Sequence, residues 1–318
     1  MTSILLLGAG FSYPFGGWLA SEVLEYLIGS SHVDDQLRKL LIDKRSNGGF
    51  EGVLEDLQRE ASHSGIPHPP LTALMNALVE MFTVMNRGLD SPRFPRETMG
   101  TFLAKFDAIF TLNQDTLLEA HYVGADLQPY SGGKWKRAIV PGMQPRETGL
   151  YPYLGELRAL DSTPLIGEGF QPYVKLHGSS NWRTDSGGLM IVGGNKFIGI
   201  RSSSLLDWNF RTFEDYLRHP ECRLMVVGYS FRDNHINNAI AHAITAATGL
   251  QIFIVDPIGL DVVDPPPPPS MLIPPRRSDF TEIILPSIRG CSRRDLLTTW
   301  ATDVVERSKI LNFLKISV

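Results

Sequence analysis

The sequence predicts an α/β fold: a parallel sheet with helices on both faces. Short, wholly apolar runs such as Ile4-Leu5-Leu6-Leu7 and Ile252-Phe253-Ile254-Val255 stop abruptly at a glycine or a compact polar residue. Strands buried on both faces have this pattern. Between them lie amphipathic stretches of helical period, so successive strands are joined by crossovers and run parallel. The 318 residues, 43% hydrophobic and 20% charged, exclude disorder and suffice for one large domain or two ordinary ones.

Residues 4–7 form the first strand, which feeds a tight turn at Gly8-Ala9-Gly10. Residues 19–28 read as a helix, with Leu19, Val23, Leu24 and Leu27 on one face, and further helical patterns cover 35–44, 50–60 and 71–85. The stretch 18–105 is too long for one crossover helix, so a helical insertion is expected after the first strand. Residues 106–112 return to the strand pattern and 114–121 to the helical one. Residues 130–170, rich in Gly, Pro and Tyr, read as loops and short strands. A strand over 173–176 ends at His177-Gly178. Then come a helix at 207–218, a buried strand at 223–227, a helix at 235–248 and a buried strand at 251–255. The prolines at 265–269 bar helix and central strand and predict an extended or loop connection. One helix is expected after them, over about 292–307.

Composition excludes several functions. A net charge of -4 gives no whole-chain footprint for nucleic acid, so no direct nucleic-acid binding is expected. Cys222 and Cys291 are too few for a four-thiolate zinc site or a disulfide framework. His63 and His68 flank a proline-rich loop, and His235 and His242 stand seven apart on one helix, so no metal-ligand spacing is evident and no metal is expected. The apolar start stops at Gly8 with no basic residue before it, and no run approaches about 18 apolar residues. No membrane association is expected, and the chain reads as cytoplasmic.

Chemistry-bearing residues collect at strand ends. Gly8-Ala9-Gly10-Phe11-Ser12 lacks the third glycine of the common dinucleotide fingerprint, because position 13 is Tyr13. It is either a nucleotide-binding turn or a structural one, and Ser12 either contacts a phosphate or caps the turn. Thr111-Leu112-Asn113-Gln114-Asp115 offers two polar side chains to a site, or N-caps to a helix. His177 follows a strand, where a histidine serves as a general base or as a structural residue. In Val227-Gly228-Tyr229-Ser230-Phe231-Arg232-Asp233, Gly228 and Ser230 present donors, Arg232 a fork for phosphate and Asp233 a helix cap. Asp256 either accepts from ribose hydroxyls or starts an Asp-Pro turn. Parallel strands bring such ends to one crevice, and the joint reading is a nucleotide site.

Gly8-Ala9-Gly10-Phe11-Ser12, Thr111-Leu112-Asn113-Gln114-Asp115, Lys175-Leu176-His177-Gly178 and Val227-Gly228-Tyr229-Ser230-Phe231 together resemble the sirtuin-type family of NAD-consuming enzymes, in that family's order. The resemblance implies a Rossmann-like catalytic domain over 1–260, with the helical insertion at about 18–105, that takes NAD as substrate. Residues 261–318 would be a proline-rich connection and a C-terminal helical segment. The turn Gly8, Ala9, Gly10, Phe11 and Ser12 would hold the pyrophosphate. Asn113 would contact the nicotinamide ribose or orient water, Asp115 would hold the carboxamide, and His177 would be the general base. Gly228, Ser230 and Asp256 would lie near the adenosine half, with Thr111 and Tyr229 among the dinucleotide contacts.

Two features depart from the family's deacylases. Leu112 replaces a glutamine, and only Cys222 falls where a four-cysteine zinc ribbon would be, so no zinc is expected. The chain is more similar to zinc-less NAD hydrolases of bacterial anti-phage defence. That branch implies cleavage of NAD to nicotinamide and ADP-ribose by an oligomer. It also implies a partner such as a HerA-like translocase ATPase or an Argonaute-like protein. The alternatives are a non-catalytic sensor of NAD or ADP-ribose, and an NAD-dependent protein deacylase or ADP-ribosyltransferase.

Overall fold

The computed structural model describes all residues except 65–67, 90–93, 148–151, 186, 195, 268–275 and 317–318, and the side chains of 63 and 64. Strand β1 (Ser3–Leu7) runs into the short helical turn α1 (Ala9–Ser12). Helices α2 (Ala20–Gly29), α3 (Asp35–Lys44), α4 (Gly49–Ser64), α5 (Pro69–Gly88) and α6 (Arg96–Leu103) precede β2 (Ala108–Thr111). Next come α7 (Leu117–His121), α8 (Gln128–Ser131), β3 (Arg137–Ile139), β4 (Met143–Pro145) and β5 (Leu157–Ala159). They lead to β6 (Phe170–Lys175), β7 (Gly178–Thr184), β8 (Gly187–Met190), α9 (Lys196–Ser202) and α10 (Ser204–Leu217). The chain continues through β9 (Arg223–Val227), α11 (Asn234–Thr245), β10 (Gln251–Val255), α12 (Asp279–Ile284), β11 (Ile288–Ser292) and α13 (Val304–Leu314).

The central sheet has the order β11-β10-β9-β1-β2-β6-β3, and every pairing in it is parallel. The fold is therefore α/β and Rossmann-like, as expected. Ile4 to Leu7 are almost completely buried because β1 lies mid-sheet with helices on both faces, which is why the strand is apolar throughout. A smaller sheet, β4-β5-β7-β8, follows from the segment rich in glycine and proline. Among the described residues no helix is long and apolar enough to cross a membrane.

The helical insertion divides between two cores. Helices α2 to α5 enclose their own cluster, including Leu27, Leu41, Leu54, Leu74 and Leu78, whereas Met99, Phe102 and Leu103 of α6 join the core of the sheet. Val192 packs against the lobe, and Gln58 Nε2 donates to the Val192 carbonyl at 3.0 Å. The lobe thus docks on the segment after β8, beside the carboxyl edge of the sheet.

The helix expected over 292–307 is not one element. Ser292 closes β11, the strand paired on β10, and a π-type turn occupies Thr298–Thr302. Asp303 then starts α13, its carboxylate accepting from the Val305 and Glu306 amides. An aspartate bonded this way is an N-cap and not an interior residue. The helix expected over 114–121 begins only at Leu117, because residues 113–115 make the loop contacts described below. Of the proline run, Pro265 to Pro267 are neither helix nor strand, and Pro268 and Pro269 lie outside the described residues.

At the sheet's centre the chain moves outward from β1 in one direction and later returns on its other side through β9. The turns after β1 and β9 meet at this switch point. Gly8 N donates to the Val227 carbonyl and Gly10 N to the Gly228 carbonyl, both at 3.0 Å. A Cβ on Gly8 would lie 2.4 Å from Gly228 O. A Cβ on Gly228, where φ is +63°, would lie 2.5 Å from the Gly10 backbone. Both obstacles are main chain, so nothing can swing aside. Gly133 offers a control, since its φ is +89° but no atom lies within 4 Å of a Cβ there. In urea denaturation Gly133→Ala should cost about 1 kcal/mol from backbone strain alone. Gly228→Ala should cost at least about 3 kcal/mol, because strain and clash add. Equal losses would mean that the two turns are not tightly clasped.

Candidate functional site

Asn113 is fixed by the way β2 ends. The Thr111 hydroxyl donates to the Leu7 carbonyl at 3.3 Å and accepts from Asn113 N at 3.0 Å. That turn carries the Asn113 side chain across to β1. Its Nδ2 donates to the Gly8 carbonyl and to Ser12 Oγ, both at 3.0 Å. Both amide hydrogens are then used, and Oδ1 is left without a partner among the described residues. Gly8, Gly10, Ser12, Thr111, Asn113 and Gly228 therefore gather at the switch point, the usual ligand crevice of an open parallel sheet. Ala9 and Ser230 are exposed beside them.

The loop after Asn113 is tied from three sides. Asn86 Oδ1, on α5, accepts from Thr116 N at 3.1 Å, and its Nδ2 donates to Ser180 Oγ at 3.0 Å. Ser180 Oγ donates to the Gln114 carbonyl at 2.8 Å, and the Gln114 side chain donates to the Ile191 carbonyl. Asp115 Oδ1 accepts from Leu117 N at 3.0 Å, so this carboxylate closes the turn that leads into α7. The Asp115 carbonyl accepts from Lys175 Nζ. Lys175 forms a fully buried ion pair with Glu119 at 2.8 Å, and the Tyr173 hydroxyl donates to the other Glu119 oxygen at 3.2 Å. Burial pushes the Glu119 carboxyl above its ordinary pKa, and the Lys175 ammonium pulls against that shift. A lysine inside the otherwise apolar run Tyr173-Val174-Lys175-Leu176 was the sequence signal for this pair, since such a charge needs a partner.

His177 lies where β6 passes into β7 and is 3% exposed. Its Nε2 is 2.9 Å from Nε2 of His235 on α11. The Leu112 backbone, next to Asn113, is the ring's other polar neighbour and favours its charged form, against burial. Burial pushes the His177 pKa down to about 3 and that of His235 down to about 4, so both rings are neutral.

Asp233 stands at the N-cap of α11, but its side chain makes no capping bond. The helix-cap expectation holds for its position and fails for its carboxylate, which binds Lys196 Nζ at 2.7 Å. Lys196 also meets Glu51 of the helical lobe at 2.8 Å. Burial opposes both charges, yet each stabilises the other: Asp233 is held below its usual pKa and Lys196 above its own. Glu51, Lys196, Phe197, Arg232, Asp233 and His235 line a cavity of about 210 Å³. Lys196 and Glu51 carry no motif signal, and their roles follow from tertiary packing alone.

The side chains of the remaining predicted residues are engaged in packing or in turns. Phe11 is buried and packs on Phe15 with ring centroids 6.0 Å apart. The buried Tyr229 hydroxyl exchanges hydrogen bonds with the Asp233 backbone and Asn237 Oδ1, which ties the β9 turn to α11. Asp256 ends β10, and its Oδ1 accepts from Ile258 N at 3.0 Å in the turn that Asp-Pro predicts. Burial raises its carboxyl pKa.

Residues 107–261 match the family model described as SIR2-like domain. The match supports a sirtuin-like family and hence NAD-related chemistry. It takes in Asn113, His177 and Gly228, and it leaves the glycine turn after β1 outside. Comparison with curated proteins finds no match.

The buried pair under the site gives a test in denaturant. Lys175→Met should cost about 3–5 kcal/mol, because Glu119 is left in the core without its counter-ion. Adding Glu119→Gln should restore most of that loss. If the double variant is no more stable than Lys175→Met, the pair does not carry the loop.

Proposed function

We propose that this chain hydrolyses NAD to nicotinamide and ADP-ribose. The observation that carries the reading is Asn113, its amide hydrogens locked on Gly8 and Ser12 and its Oδ1 left over, one residue from the Leu112 backbone that holds the neutral His177. In the reaction the bond between nicotinamide and the ribose C1′ breaks, and its electron pair neutralises the pyridinium ring. Water adds at C1′, and its proton passes to a base. The ribose develops oxocarbenium character, so catalysis needs an aligned water or ribose hydroxyl and exclusion of bulk solvent. Asn113 Oδ1 suits the alignment. His177 Nε2 suits the base once it parts from His235.

The positions of the thiols weigh against deacylation. Cys222 immediately precedes β9, at the end of the sheet away from the crevice, and burial raises its pKa to about 12. Cys291 lies in β11.

In this reading the protein is the NAD-depleting effector of a bacterial anti-phage defence system. It is a cytoplasmic oligomer that works with a HerA-like translocase ATPase or an Argonaute-like partner, and it does not itself bind nucleic acid. An NAD hydrolase harms its own cell unless restrained, and two observations suit restraint. His235 occupies Nε2 of His177, the proposed base. Lys196, beside that histidine pair, also ties α9 to Glu51 of the helical lobe, so the lobe is held closed by an ion pair.

Purified protein, with the product of its neighbouring gene, should convert NAD to nicotinamide and ADP-ribose in chromatographic assays. Asn113→Ala and His177→Ala should each lower turnover at least about 100-fold, while circular dichroism stays that of the folded protein. NAD left intact over hours would overturn the reading. Binding without turnover would select the sensor, and loss of NAD only with an acylated peptide would select the deacylase.

A further inference from the structure

His177 and His235 are 58 positions apart in sequence, yet their Nε2 atoms lie 2.9 Å apart. With a carboxylate oxygen of Asp233 they form a set whose ligand atoms all lie within 4.8 Å of one another. We propose that His177, Asp233 and His235 bind a divalent transition metal of the zinc class, and that the metal blocks NAD turnover by taking the His177 lone pair. The binding half stands on the cluster alone, and the blocking half rests on the function proposed above.

The donor set selects the metal. Two imidazole nitrogens and one carboxylate suit zinc and its first-row neighbours, whereas calcium and magnesium prefer all-oxygen shells. Metal–nitrogen bonds of about 2.0–2.1 Å at a tetrahedral centre hold two nitrogens roughly 3.3 Å apart. The rings therefore need to separate by only about 0.4 Å from their present 2.9 Å. The hydrogen bond between His177 and the Leu112 backbone fixes that ring from behind, as the outer partners of metal-bound histidines do.

An approach path and a charge balance are also present. Asp233 and His235 line the cavity of about 210 Å³, so an ion reaches them from its polar side. The charged groups facing the cluster are Lys196, Glu51 and Arg232. Arg232 is exposed, and Lys196 is the direct competitor, 2.7 Å from Asp233 Oδ1. The same ammonium already touches Glu51 Oε1 at 2.8 Å, so it has an acceptor to fall back on when a dication takes Asp233. The site uses no cysteine and is separate from any thiolate zinc ribbon. Sequence spacing could not reveal it, because its histidines come from the end of β6 and the start of α11.

The test is a titration of the full-length, tag-free protein with Co²⁺, read by the visible d–d absorption that intensifies in a low-coordinate site. Absorption should saturate at one equivalent and be abolished by Zn²⁺. His235→Gln should weaken Co²⁺ at least about tenfold, the scale lost even when only an outer partner of a metal ligand is removed. Lys196→Met should tighten it severalfold, and a gain of affinity cannot come from misfolding. Saturating Zn²⁺ should stop NAD hydrolysis by the wild type, and a chelator should restore it. Absent saturation, or affinities unchanged in both variants, would overturn the metal site. Saturable binding with hydrolysis intact would overturn the blocking half. A protein that never hydrolyses NAD would take the blocking half down with the proposed function, while the cobalt titration still decides the binding half.

Discussion

Two strand-end turns meet at the centre of the sheet with no room for a side chain between them, and the site is built outward from that contact. Gly8 and Gly10 donate to the β9 turn, and Gly228 returns within a Cβ's reach of the Gly10 backbone. The contact joins β1 and β9, the strands from which the chain runs in opposite directions. It also sets the height of everything beside it. The Gly8 carbonyl accepts from Asn113, so the end of β2 is measured against the same turn. Three strand ends are locked together by main-chain atoms and one carboxamide, and a polar atom of that carboxamide remains for a ligand.

Around this frame, buried polar groups hold the loops that apolar packing cannot. Lys175 and Glu119 are both wholly buried, and each has hydrogen-bonding partners besides the other. A pair like this adds little net stability against an apolar replacement, but removing one member is costly. It therefore acts chiefly on geometry, holding the carbonyl of Asp115 and the start of α7. A second polar chain runs from His177 through His235 and past Asp233 to Lys196 and Glu51. It joins the sheet to the helical lobe, so movement of the lobe reaches His177 along this chain. That coupling suits the proposed hydrolase held at rest.

The central strands were legible because burial on both faces leaves an unbroken apolar run, as in Ile4 to Leu7 and Leu224 to Val227. β11 was not, since it is an edge strand with Arg289 exposed and Gly290 in its middle, and pairing with β10 outweighs local preference. The apolar residues beyond it suggested one helix, but Asp303 divides them by capping α13. At the site, Asn113, His177 and Gly228 were legible as polar or glycine residues ending apolar runs. Tyr229 and Phe11 belong to the same motifs, yet their side chains serve the core. His235, Lys196 and Glu51 meet only in three dimensions, and no periodicity or spacing marks them.

A crystal structure of His177→Ala with NAD bound tests the central claim most directly. The nicotinamide ribose should lie against Asn113 Oδ1 and the adenosine half beside Gly228 and Ser230, astride the ends of β1 and β9. A dinucleotide seated among Lys196, Arg232 and Phe197, clear of both glycine turns, would contradict it.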